Sequence, residues 1–269
     1  MAETEAEGSI IMPVSIHTTA IVEKGAELGD GVIVGPFAYI ESGAEIGAGC
    51  EIGPGAHITK YVRMGRENKV FKDASIGSDP QDKKFGGEET FLIIGDRNMF
   101  RESVTMNRGT THSGETVIGS DCFFMAYSHV AHDCVVGDNV IFANCAGIAG
   151  HVTVKDYVIL GGNVPVHQFV TIGESVMIGL SGTITRDVPP YLLMGGDPMR
   201  LAGINIIGLR RRGFTEETIN MLRMAYRILY RSSLNTPDAL TRIESEIEPI
   251  PEIRKFVDFV RDSKRGIIR

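Results

Sequence analysis

A six-residue period followed by a late switch to helical spacing predicts a parallel β-helix of hexapeptide repeats with a small α-helical domain after it. Three observations carry this. First, apolar residues recur at every sixth place from Ile118 through Phe124, Val130, Val136, Phe142 and Ile148 to Ile184. Four places after each stands a small or β-branched residue, as in Cys122, Ser128, Cys134, Val140, Ala146 and Val152. That makes twelve hexads in one phase up to Pro189, the signature of a coil whose neighbours stack to build a continuous core. Second, the same phase runs through the N-terminal half. Third, the period changes after Val188-Pro189-Pro190. The β-helix is expected over residues 1–190 and the helical domain over 191–269.

In chain order, the hexads open at Ile16, Val22, Leu28, Val34, Ile40 and onward to Ile76. The pattern fails over residues 77–91, a polar run containing Asp79-Pro80-Gln81-Asp82-Lys83-Lys84, and resumes at Ile94, Phe100 and Met106. It fails again over 108–116 and resumes in phase at Ile118. Interruptions that leave the phase intact are loops thrown out from one face of the solenoid, and such loops often line a site. Three hexads make one triangular coil, so residues eighteen apart stack at about 4.8 Å, the spacing of neighbouring strands. Beyond Pro190, Thr215 with Glu216 and Glu217 reads as an N-cap and acidic first turn. Ile219, Leu222, Ala225 and Leu229 keep helical spacing behind them. Thr236-Pro237 starts a second helix, and a third runs from Pro251 through Phe256 and Val260. This domain also covers the upper edge of the sheet, which would otherwise invite aggregation.

Composition narrows the function. The net charge of −7 disfavours nucleic acid as a partner. The 32 glycines fit a fold with a tight turn in every hexad, many of them needing positive φ. The four cysteines form no Cys-x-x-Cys pair, and Cys50, Cys122 and Cys134 fall at the inward small position, as core residues. The acidic stretch Met1 to Met12 has no signal-peptide pattern, and nothing later is long enough for stable membrane insertion. A cytoplasmic protein is expected.

Four of the seven histidines fall within the central repeats: His129, His132, His151 and His167. Stacking arithmetic puts His132, Gly150 and Gln168 in one column, with His151 one coil above Asp133. A neutral imidazole is a good general base near neutral pH, a carboxylate beside it orients the ring, and a glycine N–H can serve an oxyanion. No Ser, Cys or Thr stands out as a nucleophile, so direct attack by a substrate hydroxyl fits better than a covalent intermediate.

The motif His129-Val130-Ala131-His132-Asp133-Cys134 resembles that of the UDP-N-acetylglucosamine 3-O-acyltransferases, which begin lipid A synthesis by moving a 3-hydroxyacyl chain from acyl carrier protein to the sugar. The resemblance extends over Arg101-Glu102-Ser103-Val104-Thr105, Ala149-Gly150-His151-Val152, His167-Gln168-Phe169, Asp187-Val188-Pro189-Pro190-Tyr191 and Gly208-Leu209-Arg210-Arg211-Arg212-Gly213-Phe214. It implies a left-handed β-helix, a homotrimer with sites between subunits, and no cofactor beyond the phosphopantetheine that carries the acyl donor. It implies His132 as general base, Asp133 polarising it and Gly150 supplying the oxyanion N–H. His129, His151, His167 and Gln168 would contact the sugar, acyl or pantetheine groups. Gln81, Asp82 and Lys84 would reach the sugar in a neighbouring subunit's site, and Asn205 and Arg211 would bind the nucleotide end. Arg223, Arg227 and Arg231 would meet acidic acyl carrier protein. The chain departs from the family pattern at Ile207, where an acidic residue is usual near the nucleotide, and at Leu180, where long-chain members carry glycine along the acyl groove. The residues alone also admit another hexapeptide acyltransferase with a different acceptor. A metalloenzyme resembling the hexapeptide carbonic anhydrases, with His129, His132 and His151 as ligands, and a non-catalytic scaffold are further readings.

Overall fold

A computed structural model describes residues 12–269; all of the acidic N-terminal stretch but Met12 lies outside the described residues. Short strands, most of two residues, joined by tight corners build three faces of eleven, eight and eight strands, parallel except for the last strand of the first face. Register follows the hexads: Ile141 pairs with Ile159 and Phe142 with Leu160, eighteen residues on. Two interruptions keep the phase because their lengths are whole hexads. Lys69 pairs with Met99, thirty residues on, so the first loop adds twelve. Met99 pairs with Phe123, twenty-four on, so the second adds six.

Hexad openers and the residues four places later point inward and form one core from Val32 to Val188. Phe100, Phe124 and Phe142 stack through it with centroids 5.4 and 5.1 Å apart. At the lower end Ile16 is left 47% exposed. Burying about 0.8 kcal/mol per methylene at two inward positions per hexad is what holds strands this short.

The glycines do something other than expected. The corner residue three places after the opener takes positive φ in most hexads, but usually it is not glycine: Asp121 (60°), Asp133 (58°), Cys145 (60°) and His151 (63°) are examples. Many glycines stand instead directly after the opener, with ordinary backbone. There a Cβ would run into the coil above, at 2.5 Å from the Gly65 carbonyl carbon for Gly47 and 2.6 Å from that of Gly179 for Gly161. Close approach between coils, rather than the turn itself, demands them.

The regular coils do not give way at once to helices. Leu192–Gly195 continues the first face by pairing parallel with Met177–Ile178, and Arg200–Ile204 returns antiparallel to it. Helix α1 (Ile206–Arg211) follows, a short element that the apolar spacing did not announce. Next come α2 (Glu216–Arg231), α3 (Thr236–Glu246) and α4 (Pro251–Asp262). Thr215 caps α2 as read, accepting from the Thr218 N–H at 3.1 Å. The tail then returns to the top coil, where the Arg265 Nε donates to the Thr185 carbonyl at 2.8 Å and Ser263 Oγ to Asp187 at 2.6 Å. Among the described residues no helix is long and apolar enough to cross a membrane.

Candidate active site

The corner between the second and third faces carries the histidine cluster. Strand His129–Val130 lies between Thr105–Asn107 and Gly147–Ile148, and the chain turns through Ala131, His132 and Asp133. The positive φ at Asp133 swings its carboxylate back under the coil, where the side chain is wholly buried. His132 Nδ1 lies 2.6 Å from Asp133 Oδ2. The second loop supplies the rest of the shell: Thr110 donates from N–H at 3.0 Å and from Oγ1 at 2.8 Å, and Ser113 donates from N–H at 3.3 Å and from its hydroxyl. Burial pushes the Asp133 carboxyl up, but hydrogen bonds from Ser113, His132 and Thr110 together outweigh it, and the group lies well below the usual carboxylate range. An ionised carboxylate only accepts. Nδ1 of His132 therefore carries the proton in the neutral ring, and Nε2 keeps a free lone pair.

Gly150 lies above His132 as the stacking arithmetic requires. A Cβ there would stand 2.8 Å from His132 Nε2 and 2.6 Å from Cε1, so only glycine lets the ring occupy this corner. The N–H at the equivalent place in other corners binds carboxylate: Ser42 donates to Glu23 at 2.8 Å, Lys60 to Glu41 at 2.9 Å and Ser120 to Asp138 at 2.7 Å. This turn thus presents its N–H as an anion donor, and among the described residues none of these acceptors faces Gly150.

His151 sits over Asp133 with Nδ1 3.8 Å from Oδ2. Its ring lies flat on Phe169 (4.4 Å, 3°) and edge-on to His112 (4.6 Å). Burial is the main reason its pKa falls below the usual imidazole value, with the nearby Asp133 charge opposing. His129, bonded to Thr105 Oγ1 at 2.8 Å, is lowered in the same way. His167 faces the C-terminal tail, its Nδ1 2.9 Å from Arg265 Nη2, and Gln168 is exposed at the turn above Gly150.

The first loop folds against the second. Asp82, Lys84, Phe85 and Glu88 line a cleft of about 320 Å³ together with Thr110, Thr111, His112 and His151. Asp82 and Lys84 therefore meet the histidines within one chain. Gln81 is exposed and does not line this cleft.

Asn205 and Arg211 lie elsewhere, in a cleft of about 320 Å³ with Tyr157, Ser175 and Arg212, at the corner between the third and first faces. Asn205 is mostly committed to structure: its Oδ1 accepts from the Gly208 N–H at 3.1 Å, and its Nδ2 donates to the Ser175 carbonyl at 2.9 Å. Ile207 stands 66% exposed nearby, and Leu180 is 73% exposed at the corner between the first and second faces. One chain thus brings together His132, Asp133, Gly150, His151, Asp82 and Lys84, and leaves Asn205, Arg211 and Leu180 on other corners. Thr110, His112, Ser113 and Phe169 were not foreseen. The second loop departs from the corner column of Asp133, which was the available signal.

The ligand set imagined for a metalloenzyme changes as well. His132, Asp133 and His151 place ligand atoms within 4.8 Å of one another, without His129. His129 Nδ1 is engaged by Thr105, and the donors on Asp133 occupy the lone pairs a cation would need.

Comparison with known proteins agrees with this geometry. Residues 187–268 match a family model described as UDP N-acetylglucosamine O-acyltransferase, domain 2, and residues 25–60 and 115–150 match bacterial transferase hexapeptide repeats. The structure resembles a UDP-N-acetylglucosamine acyltransferase from Bacteroides fragilis at TM-score 0.93 and 45% identity, covering 94% of this chain and 100% of that one. The O-acyltransferase from Moraxella catarrhalis aligns at TM-score 0.89 and 39% identity over 94% of this chain and 99% of its own. A plant acyltransferase from Arabidopsis aligns at 0.83 and 34% over 94% and 100%.

Proposed function

This chain belongs to the UDP-N-acetylglucosamine O-acyltransferase family, and from that premise we propose how its residues carry out the transfer. The protein is an acyltransferase that acylates UDP-N-acetylglucosamine in the first step of lipid A synthesis. The donor is a 3-hydroxyacyl thioester on acyl carrier protein, and the acceptor is the 3-position of the sugar. The observation that carries the mechanism is the buried Asp133–His132 pair at 2.6 Å beneath Gly150. His132 Nε2 takes the proton from the sugar's attacking group as that group adds to the thioester carbonyl. The Gly150 N–H stabilises the oxyanion, a contribution that grows in a water-poor site. The tetrahedral intermediate collapses, the carbon–sulfur bond breaks, and the imidazolium returns its proton to the departing thiolate. Asp133 stabilises that imidazolium and fixes the tautomer.

Asp82 and Lys84 hold the acceptor sugar from the first loop, and His151 borders it. His129, His167 and Gln168 contact the acyl or pantetheine groups. The nucleotide end is held by Arg211 on another corner, which supports a homotrimer in which a second chain completes each site. Arg223, Arg227 and Arg231, spaced by four along α2, form a stripe suited to an acidic carrier protein. The reaction is assigned to the cytoplasm.

The test is an acylation assay of the purified protein with UDP-N-acetylglucosamine and acyl carrier proteins of several chain lengths, with light scattering on the same sample. Donor-dependent product and a trimer mass are expected. A monomer with full activity would remove the inter-subunit site, and absence of transfer from any acyl carrier protein would remove the donor assignment.

A further inference from the structure

Residues 107–110 form the short segment where the two loops meet, and a buried cation lies in it. Arg108 is only 2% exposed. Its Nε and Nη2 donate to Asp79 Oδ1 at 3.1 and 2.8 Å, at the start of the first loop. Its Nη1 donates to the Glu88 carbonyl at 2.6 Å, to Thr90 Oγ1 at 2.9 Å and to the Thr90 carbonyl at 3.3 Å, at the loop's end. Its carbon centre lies 5.1 Å from the Tyr61 ring and 4.8 Å from the Phe85 ring. Phe85 belongs to the cleft shared by Asp82, Lys84 and His151. One guanidinium therefore touches the beginning, the end and the cleft-facing middle of the loop.

We propose that Arg108 is a positioning residue for the acceptor: it staples the first loop so that Asp82 and Lys84 stand at a set distance from His132. The inference rests on the reading above that this loop holds the sugar. Burying a charge is costly unless its donors are all used, and a loop can be closed without one. A rigid five-donor fork fixes two chain segments relative to each other in a way that a single ammonium cannot. The neighbours reinforce the staple: Asn107 Nδ2 donates to the Ser78 and Asp79 carbonyls at 3.2 and 2.8 Å, and Thr90 Oγ1 donates to the Gly109 carbonyl at 2.5 Å. Two residues beyond Arg108, Thr110 holds Asp133. The same segment therefore sets the acceptor loop through one residue and the base through another, and the two effects are separable.

The experiment is steady-state kinetics with UDP-N-acetylglucosamine and acyl carrier protein thioester varied separately, on full-length trimer checked by melting and light scattering. Arg108→Lys is expected to raise the acceptor KM about tenfold or more, since small displacements of positioning groups are costly. The donor KM and the pH profile of kcat should stay as in wild type. Asp79→Asn weakens one end of the staple at a side chain that is 70% exposed, so it should fold normally and raise the acceptor KM less. Thr110→Val should instead lower kcat and alter its pH profile, because Thr110 holds Asp133. Asp82→Asn and Lys84→Ala separate the two ideas. If neither raises the acceptor KM, the loop does not hold the sugar. If they do and both Arg108→Lys and Asp79→Asn leave it unchanged, the staple alone is wrong. Should Arg108→Lys not fold, Asp79→Asn decides.

Discussion

Asp133 and His151 occupy the same corner of successive coils, both in left-handed backbone (φ 58° and 63°), with the His151 Nδ1 3.8 Å from the Asp133 carboxylate. Non-glycine residues adopt this backbone reluctantly, yet the stacked coils impose it at corner after corner. A solenoid thus offers ready-made positions where side chains from neighbouring coils converge. The chemistry assigned to this protein sits on such a column, with Phe169 continuing it one coil higher.

Removing His132 should stop turnover without disturbing the fold. A lost general base typically costs about 10²–10⁴-fold in rate, so His132→Ala is expected to fall by that much in kcat/KM with the same melting temperature and mass. Asp133→Asn should cost a comparable factor, because an amide can donate to Nδ1 and leave Nε2 protonated; about 10⁴-fold follows the same exchange in a serine protease triad. Near-normal turnover in His132→Ala would transfer the role to His151 or His129.

Acid should weaken the protein in two stages. Burial depresses the pKa of His129 and His151, so the unfolded chain protonates them first. The stability they contribute is complete above an ordinary histidine pKa of about 6.5 and declines as pH falls below it. Asp133 is also depressed, by hydrogen bonds that overcome its burial. Its contribution is complete above about pH 4 and is lost only as pH falls further, toward its folded value. Thermal melts from pH 8 to 2 should show one decline beginning below about pH 6.5 and a second beginning below about pH 4. The double variant His129→Asn/His151→Asn should flatten the first stage, and persistence of that stage would disprove its assignment.

Glycines that look alike in sequence should differ in cost. At Gly161 a Cβ would lie 2.6 Å from the Gly179 carbonyl carbon, with both backbones held by the stack. Overpacking of this kind typically costs about 1–3 kcal/mol. Gly114 has φ of +80° but open space around its Cβ position, so alanine there meets only backbone strain of about 1–2 kcal/mol. Denaturant titration of Gly161→Ala and Gly114→Ala should place the first lower, and the reverse order would contradict the close-approach account.

Much of this was legible because a hexad converts sequence distance into space. The column His132, Gly150 and Gln168 and the pair Asp133 and His151 follow from counting in eighteens. The helical region was legible from its caps and apolar spacing. Counting says nothing, however, about how an inserted loop closes, and so it missed the Arg108 contacts and the cleft that Asp82 and Lys84 share with His112 and His151. The Arg265–His167 contact joins residues 98 apart across two kinds of structure, which no period connects. The role of the after-opener glycines was hidden for a different reason: a tight turn and a close approach both call for glycine, and only coordinates separate them.

Leu180 offers a test of acyl-chain selection. It lies at a corner, 73% exposed, directly above Gly162 in the stack. A Cβ on Gly162 would meet nothing nearer than the Asn144 carbonyl at 3.5 Å, so the column is open below Leu180. Around it Gly179, Ser181, Gly182, Thr183, Pro198 and Met199 line a cleft of about 640 Å³. If the acyl chain runs along this column, the leucine side chain stops it where glycine would let it pass. Its four carbons displace a similar number of methylenes from a close-packed groove, giving a preference for donors of roughly ten to twelve carbons over fourteen. Each excluded methylene forgoes about 0.8 kcal/mol, so four amount to about 3 kcal/mol, over a hundredfold in preference. The measurement compares kcat/KM for donors of ten, twelve, fourteen and sixteen carbons on wild type and Leu180→Gly. Wild type should favour the shorter donors and the variant should shift toward the longer. An unchanged profile in Leu180→Gly would mean that the side chain turns out of the groove and that another residue ends it.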